Sequence, residues 1–260
     1  MGSGWLGLPL ARALIDGGHP VKLSTRTTER LPELKATGAE AFCVDLAQPG
    51  RTMMAFLESE CLVINITSKD IPAFATLVDA IERAGVSRVI FVSSTSVYRN
   101  TNDVVREDHG DEAEDAPLFR IEQLFRESAA FATTVVRFAG LIGPGRHPGR
   151  FFSSGRAIRD PDTPVNLIHL DDSIEVLCRI IDDGIDDEVF SACSDSHPTK
   201  REFYPAAARS LVQPVPALAE GTESAFKIVS NDKLKRVLGY EMKYPDPMAM
   251  LHRPEAFASA

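Results

Sequence analysis

Gly2-Ser3-Gly4-Trp5-Leu6-Gly7 spells G-x-G-x-x-G, a spacing that lets a backbone bend tightly, lie against a pyrophosphate and lead directly into a helix. Gly2 permits the bend, Gly4 the close approach of phosphates, and Gly7 the packing of the helix on a sheet, while amides at the helix start, Trp5 and Leu6 among them, hold the anion. Alone, the spacing also fits a glycine-rich turn that holds nothing. Its context favours the dinucleotide: Leu6, Leu8, Leu10, Ala11, Leu14 and Ile15 recur at helical spacing, Gly17-Gly18 closes that helix, and Pro20 to Ser24 reads as a strand.

About twenty positions beyond such a turn, an acid would accept hydrogen bonds from the ribose hydroxyls of NAD. Here the strand end reads Leu23-Ser24-Thr25-Arg26-Thr27-Thr28-Glu29-Arg30. Arg26 can stack on adenine and grip a 2'-phosphate, with Ser24 and Thr25 donating hydrogen bonds, so NADP is favoured, with NAD as the alternative. The competing account is a solvated helix start capped by Thr27 or Thr28.

A second basic element is Gly143-Pro144-Gly145-Arg146-His147-Pro148-Gly149-Arg150. Arg146 and Arg150 suit a diphosphate or carboxylate, since guanidinium pairs bidentately with such groups; pairing with Asp171 or Asp172 would explain one of them equally well. Arg137 closes an apolar strand and reads as a buried ion pair. Glu107 and His109 lie in an acidic stretch, Glu107 to Asp115, that reads as a solvated loop, and no metal-ligand spacing is present.

The elements that must position these residues alternate between strand and helix. Strands are expected at Glu40 to Asp45, Cys61 to Ile66, Arg88 to Ser93, Thr133 to Phe138 and Glu188 to Ala192, with helices at Ile71 to Ala84 and Asp171 to Asp182. That order predicts an α/β fold, a doubly wound parallel sheet (Rossmann fold). Its expected core is residues 1–142 plus 166–195, and residues 143–165 plus 196–260 form a small C-terminal substrate cap of short helices and proline-rich turns. Only Met1 precedes the glycine turn, where a buried strand is expected; the first strand is therefore expected to lie upstream of Met1, as roughly six apolar residues.

With 260 residues, 44% hydrophobic and 25% charged, the composition is that of a globular protein with a sizeable core. A formal charge of -9 argues against a nucleic-acid surface, and no apolar run reaches the length of a membrane span. Cys43, Cys61, Cys178 and Cys193 are scattered, without C-x-x-C spacing, as in a reduced cytoplasmic protein.

Several segments together resemble a known family. Ser93-Ser94-Thr95-Ser96-Val97-Tyr98, Arg137-Phe138-Ala139-Gly140-Leu141-Ile142-Gly143-Pro144-Gly145-Arg146, His169-Leu170-Asp171-Asp172 and Val229-Ser230-Asn231-Asp232-Lys233-Leu234 are similar to the extended and atypical short-chain dehydrogenases/reductases, the NAD(P)-dependent epimerase/dehydratase group. Gly4-Trp5-Leu6-Gly7, the run ending Gly149-Arg150-Phe151-Phe152, and His197-Pro198 with Phe203-Tyr204-Pro205 resemble its YeeZ-type branch.

The resemblance implies that Asp45 and Leu46 touch the adenine edge, that Ile66 and Thr67 lie along the cofactor, and that Asn166 and His169 border the substrate. It implies a serine, here Ser94, that orients the substrate oxygen. It also implies a tyrosine acid/base with a lysine four residues later, because a phenol needs adjacent positive charge to act as a base near neutral pH. That pair is missing: the residues four after Tyr98, Tyr204, Tyr240 and Tyr244 are Asn102, Ala208, Tyr244 and Met248. Leu118 or Phe119 stands near the tyrosine position. Tyr98, Glu107 and His109 are the substitutes in reach, and each also has an ordinary packing or solvated role.

Two functions follow. One is an NAD(P)-dependent oxidoreductase or epimerase/dehydratase-like enzyme for a small anionic substrate such as a nucleotide sugar. The other is a non-catalytic NADP(H)-binding redox sensor. The sequence leaves the oligomeric state open; the resemblance allows a homodimer, since relatives often pair through helices of the core.

Overall fold

The computed structural model describes residues 1–46, 50–219 and 224–258. In chain order the elements are α1 (Gly7–Asp16), β1 (Lys22–Thr25), α2 (Leu31–Lys35), β2 (Glu40–Cys43), α3 (Arg51–Leu57), β3 (Cys61–Ile64), α4 (Ile71–Ala84), β4 (Arg88–Ser94), β5 (Val104–Val105) and α5 (Pro117–Arg126). Then follow β6 (Ala132–Phe138), β7 (Gly140–Ile142), β8 (Leu167–His169), α6 (Leu170–Asp182), β9 (Val189–Ala192), α7 (Lys200–Ser210), β10 (Ile228–Val229), α8 (Asp232–Leu238) and α9 (Pro247–Met250). The chain divides into two compact units.

The first unit comprises Met1–Val97, Ala113–Arg137 and Ile174–Phe190. Its strands lie in the order β3-β4-β6-β9, with β1 and β2 as a separate parallel pair. β3 and β4 are parallel, with Cys61 opposite Arg88 and Ile64 opposite Phe91. These are the continuous apolar runs of the sequence, as strands buried on both faces require.

α4 shows how local signals fix an element. Asp70 caps its start by accepting from the Ala73 amide at 3.1 Å, Pro72 sits in its first turn, and Gly85 ends it at φ 74°, a left-handed geometry suited to glycine. Its buried face, Phe74, Leu77 and Ile81, packs on β4 and α5, where Phe74, Phe91 and Phe125 meet with centroids 5.1 to 6.0 Å apart. Each such buried ring contributes about 1.5–3 kcal/mol.

Within the same core, Arg137 and Glu122 are 1% and 0% exposed and pair at 2.7 Å, while Ser93 donates to the same carboxylate at 2.5 Å. The Phe119 ring lies 5.7 Å from the Arg137 guanidinium. Removing one partner of such a pair strands a buried charge.

The second unit comprises Tyr98–Glu112, Phe138–Ser173 and Ser191–Ala260. Residues 98–112 and 138–142 cluster here by contact although the chain reaches them directly from core strands. Two short parallel pairs, β7 with β8 and β5 with β10, accompany a core of Ile142, Leu167, Phe203, Ala207, Tyr244 and Met250. A capping box of Thr199 and Glu202 starts α7. Asp172 is fully buried and accepts from the Tyr240 hydroxyl at 2.6 Å and from the Lys243 and Tyr244 amides at 2.7 and 3.2 Å. This carboxylate staples the segment around 240–244 to the start of α6.

The segment from Glu107 to Asp115 is more ordered than a solvated loop. Arg99 donates to the Asp111 carbonyl at 2.8 Å, Tyr98 bridges Glu112, and the half-buried Glu107 accepts from the Ser191 amide at 2.5 Å. Of its acids Glu107 takes a backbone donor through its side chain, while Asp108, Glu114 and Asp115 face water.

Candidate functional site

In the first unit the glycine turn is built as its spacing requires. Gly2 has φ 93°, and a Cβ there would lie 2.2 Å from the Asn65 carbonyl oxygen. A Cβ on Gly7 would lie 2.0 Å from the Gly2 carbonyl oxygen, so these two glycines permit the bend and the helix packing. Gly4 differs: nothing lies within 4 Å of a Cβ built on it. Like Gly18, Gly50 and Gly85, it leaves its backbone uncovered by the described residues. The turn sits at the start of the ten-residue helix α1, with the Leu8 amide bonding back to Gly4 at 3.0 Å. Trp5 is half-buried and Leu6 is buried, so Leu6 anchors the turn while its backbone stays in place.

Two neighbours hold the turn. The Gly2 amide donates to the Ser24 hydroxyl at 3.1 Å, which assigns Ser24, 3% exposed, to turn support rather than to the free face of the strand end. Arg30 donates to the Ser3 hydroxyl and carbonyl at 3.3 and 3.1 Å and is itself fixed by Glu33 at 2.9 Å. The sequence shows Arg30 as one more basic residue past the strand; only the fold brings it back 27 positions onto the turn.

The strand ends supply the remaining positions. Thr25 is buried and accepts from the Thr27 amide at 3.4 Å, while Arg26 is exposed and makes no hydrogen bond or ion pair with the described residues. Thr27 precedes a short 3-10 turn at residues 28–30 without capping it through its side chain. Asp45 is exposed beyond β2, the half-buried Leu46 and Ile66 pack on the core, and Thr67 is exposed beyond β3. Ser94 ends β4, half-buried, and accepts from the Ser96 amide at 3.1 Å, leaving its hydroxyl proton available to donate. Thus Thr25, Arg26, Asp45, Leu46, Ile66, Thr67 and Ser94 all lie at or just past carboxyl ends of parallel strands, the edge where α/β sheets take ligands.

In the second unit, Arg146 and Arg150 are exposed on the basic turn. His147 between them is buried: its Nδ1 accepts from the Gly149 amide at 3.0 Å and its ring meets Phe257 at 4.1 Å. Burial, helped by Arg150, holds its pKa below the usual histidine value, so the ring acts as a neutral acceptor near pH 7. A Cβ on Gly149 would lie 2.1 Å from the Ala207 carbonyl oxygen, which fixes this turn against α7.

Asn166 and His169 spend their polar atoms inside this unit. Asn166 donates to the Lys227 carbonyl at 3.0 Å and accepts from the Val229 amide at 2.9 Å, extending the β10 segment like one more strand partner. His169 is 1% exposed, with Nε2 against the Ala256 carbonyl at 2.6 Å and Nδ1 accepting from the Asp171 amide at 3.1 Å. Burial lowers its pKa, and those two bonds define a neutral ring protonated on Nε2. Both residues position their surroundings.

Tyr98 is 2% exposed, and its hydroxyl lies 2.8 Å from the Ser191 hydroxyl, whose residue also donates its amide to Glu107. Lys227 donates to the Tyr98 carbonyl at 2.5 Å, and burial lowers its pKa. Sequence reasoning missed Lys227, since no motif marks it. His109 is exposed, 3.8 Å from Asp111. Among the described residues, no group of three or more His, Cys, Asp or Glu could hold a metal ion, and no helix is long and apolar enough to cross a membrane.

Comparison with known proteins gives the same outline. Residues 2–165 match the NAD(P)H-binding family model. The chain is 30% identical to Protein YeeZ of Escherichia coli (strain K12) over 266 residues, covering 96% of this chain and 97% of that one. A candidate NAD-dependent epimerase/dehydratase from Methylobacillus flagellatus superposes with a TM-score of 0.78 at 26% identity, covering 95% of this chain and 92% of that one. UDP-glucuronic acid 4-epimerase from Bacillus cereus, in complex with NAD, has a TM-score of 0.76 at 14% identity, covering 98% of this chain and 94% of that one, a likeness of fold alone.

Proposed function

Because the chain belongs to the NAD(P)H-binding family, with YeeZ as a homologue, we propose that it is an NADP(H)-dependent oxidoreductase or epimerase/dehydratase-like enzyme for a small anionic substrate, nucleotide sugars foremost. The nicotinamide would supply hydride transfer, and the chain supplies binding and orientation. Gly2, Gly4 and Gly7, with the amides that follow them, hold the pyrophosphate; Thr25 and Arg26 take the 2'-phosphate; Asp45 and Leu46 flank the adenine; Ile66 and Thr67 line the path onward. Ser94 donates to the substrate oxygen, and Arg146 and Arg150 hold the substrate's negative charge. Arg26 supports NADP over NAD, being a guanidinium with no partner among the described residues where a ribose-binding acid would stand.

The observation that carries the reading is Gly4, the one glycine of the motif whose missing side chain leaves open space. Gly4→Ala should therefore fold normally while losing cofactor affinity. One charge-assisted hydrogen bond to phosphate is worth about 1.5–3 kcal/mol, or about a 10- to 100-fold rise in Kd for NADPH. Calorimetric titration of NADPH into the two proteins, with melting temperatures in parallel, decides it: unchanged affinity refutes the phosphate assignment. Arg26→Glu should weaken NADPH more than NADH, and equal weakening would count against the 2'-phosphate role.

A redox sensor is the second reading, favoured by the Tyr98 hydroxyl being committed to Ser191 and by Leu118 and Phe119 on α5. Tight NADPH binding without turnover on nucleotide sugars or small carbonyls would select it.

A further inference from the structure

Lys227, in the second unit, is held in place from both edges of its segment. On one edge the Phe226 amide donates to the Asn102 side chain at 2.9 Å, the Asn102 amide donates to the Phe226 carbonyl at 2.8 Å, and the Ile228 amide donates to the Asp103 carbonyl at 3.1 Å. Asn102 takes φ 60° to make this contact, a left-handed geometry that asparagine tolerates. On the other edge Asn166 bonds the Lys227 carbonyl and the Val229 amide. Backbone groups of a strand point alternately to its two edges, and here both edges are bonded. The Lys227 side chain therefore leaves a fixed backbone.

Its ammonium is half-buried and rests on the carbonyl of Tyr98, itself 2% exposed, at 2.5 Å. An ammonium has three N–H donors. The remaining ones find no acceptor among the described residues, and no carboxylate there pairs with them. Two other lysines of this unit are treated differently: Lys235 pairs with Asp195 at 3.0 Å and Lys243 with Asp171 at 2.5 Å. Asp171 raises the pKa of Lys243, whereas burial lowers that of Lys227. A backbone carbonyl needs only one N–H, which a neutral side chain or water could give. A partly desolvated cation with spare donors costs free energy until an anion completes it.

We propose that Lys227 is an oxyanion site of the second unit, whose remaining N–H groups take one carboxylate or phosphate oxygen of the substrate. The identity of that substrate rests on the function proposed above; the site itself rests on the geometry of residues 226–229. Tyr98, Asn102 and Asn166 act as positioning residues, since they hold the lysine and bring no charge of their own.

The test uses the full chain without cofactor, its lysines labelled at the ε-carbon and the Lys227 signal identified by its loss in Lys227→Arg. Inorganic phosphate and, separately, glucuronate are added at constant ionic strength, with chloride as the control. At least one of them should shift the Lys227 signal saturably, raise its proton affinity at least about threefold and leave Lys22 and Lys243 where they were. Phosphate acting alone names a phosphate group as the occupant, and glucuronate alone names a sugar carboxylate. Lys227→Met keeps the apolar stem and removes the charge. In that chain the anion should no longer shift the Tyr98 and Asn166 amides, and in Lys227→Arg it should still do so. A Lys227 signal that ignores both anions overturns the proposal, as does a shift shared by all three lysines, which is ionic screening. NADPH binding without an anion response at Lys227 defeats this inference alone; an anion response in a chain that binds no NADPH defeats the proposed function alone.

Discussion

The buried Met1 amino group makes the stability of this chain depend on pH in a way that can be worked out. Desolvation lowers its pKa from 8.0 to about 5, opposed by Cys61; Glu58, Glu60, Lys22, His19 and Arg88 also line the cavity of about 670 Å³ around it. In the unfolded chain the amine binds a proton near pH 8, but in the folded chain it does so only near pH 5. Between those values the unfolded state carries more protons, so stability is fully present above pH 8 and falls as the pH is lowered. The two-state proton balance gives a loss of about 1 kcal/mol at pH 7 and about 2–3 kcal/mol at pH 6, relative to alkaline solution. For a chain of this size that corresponds to a drop of about 5–10 °C in Tm by pH 6.

Acetylating the α-amino group removes the titration and leaves an amide N–H for the Val63 carbonyl. Urea unfolding of the free and acetylated chains from pH 5.5 to 9 should therefore show two stability curves that converge in alkali and separate by about 2–3 kcal/mol near pH 6, the acetylated chain being the more stable. His147, His169 and His197 are also held below the ordinary histidine pKa by burial and add their own acid loss, but that loss is common to both chains and cancels in the difference. A difference that does not change with pH, or a free-amine chain that gains on the acetylated one in acid, would refute the buried-amine account.

Three further outcomes are expected. Arg137→Met alone should cost about 3–5 kcal/mol by stranding Glu122, whereas Arg137→Met with Glu122→Leu should recover most of it; additive losses in chemical denaturation would show that the pair is not coupled. Asp172→Ala removes the acceptor of one hydroxyl and two amides and should cost about 2–4 kcal/mol, while leaving NADPH affinity unchanged in the same titration that reads Gly4→Ala. Arg146→Ala and Arg150→Ala should raise KM for an anionic substrate at least about tenfold with NADPH Kd constant; a change in cofactor affinity instead would move these arginines off the substrate.

The first unit was largely legible because its strands are buried on both faces and its helices carry one apolar stripe. Helix Ile71–Ala84 and the strand beginning at Arg88 stand where the apolar spacing puts them. The short pairs of the second unit were not: β5 and β10 are two residues each, 124 positions apart, and two residues carry no periodicity. At the turn, G-x-G-x-x-G gave the conformation but not its supports, since Arg30 and Ser24 reach it through the strand that follows α1. Asn166 and His169 show the opposite difficulty. The resemblance puts them at the border of the substrate, and the structure adds what no sequence pattern announces, that their polar atoms bond the Lys227, Val229, Ala256 and Asp171 backbone.

The cofactor turn is tied to both strands beside it. Met1 is bonded to β3, the Gly2 amide rests on Ser24 of β1, and the Asn65 carbonyl leaves no room for a side chain on Gly2. Any motion of β1 relative to β3 therefore distorts the bend that carries Gly4, and a turn that is ordered before the cofactor arrives binds it more tightly without adding a contact. Ser24→Ala removes the acceptor of the Gly2 amide and loosens the bend from the β1 side, so it should weaken NADPH binding about 5- to 10-fold while touching no atom of the cofactor. Unchanged affinity in the titration that reads Gly4→Ala would mean that the turn is rigid without this bond.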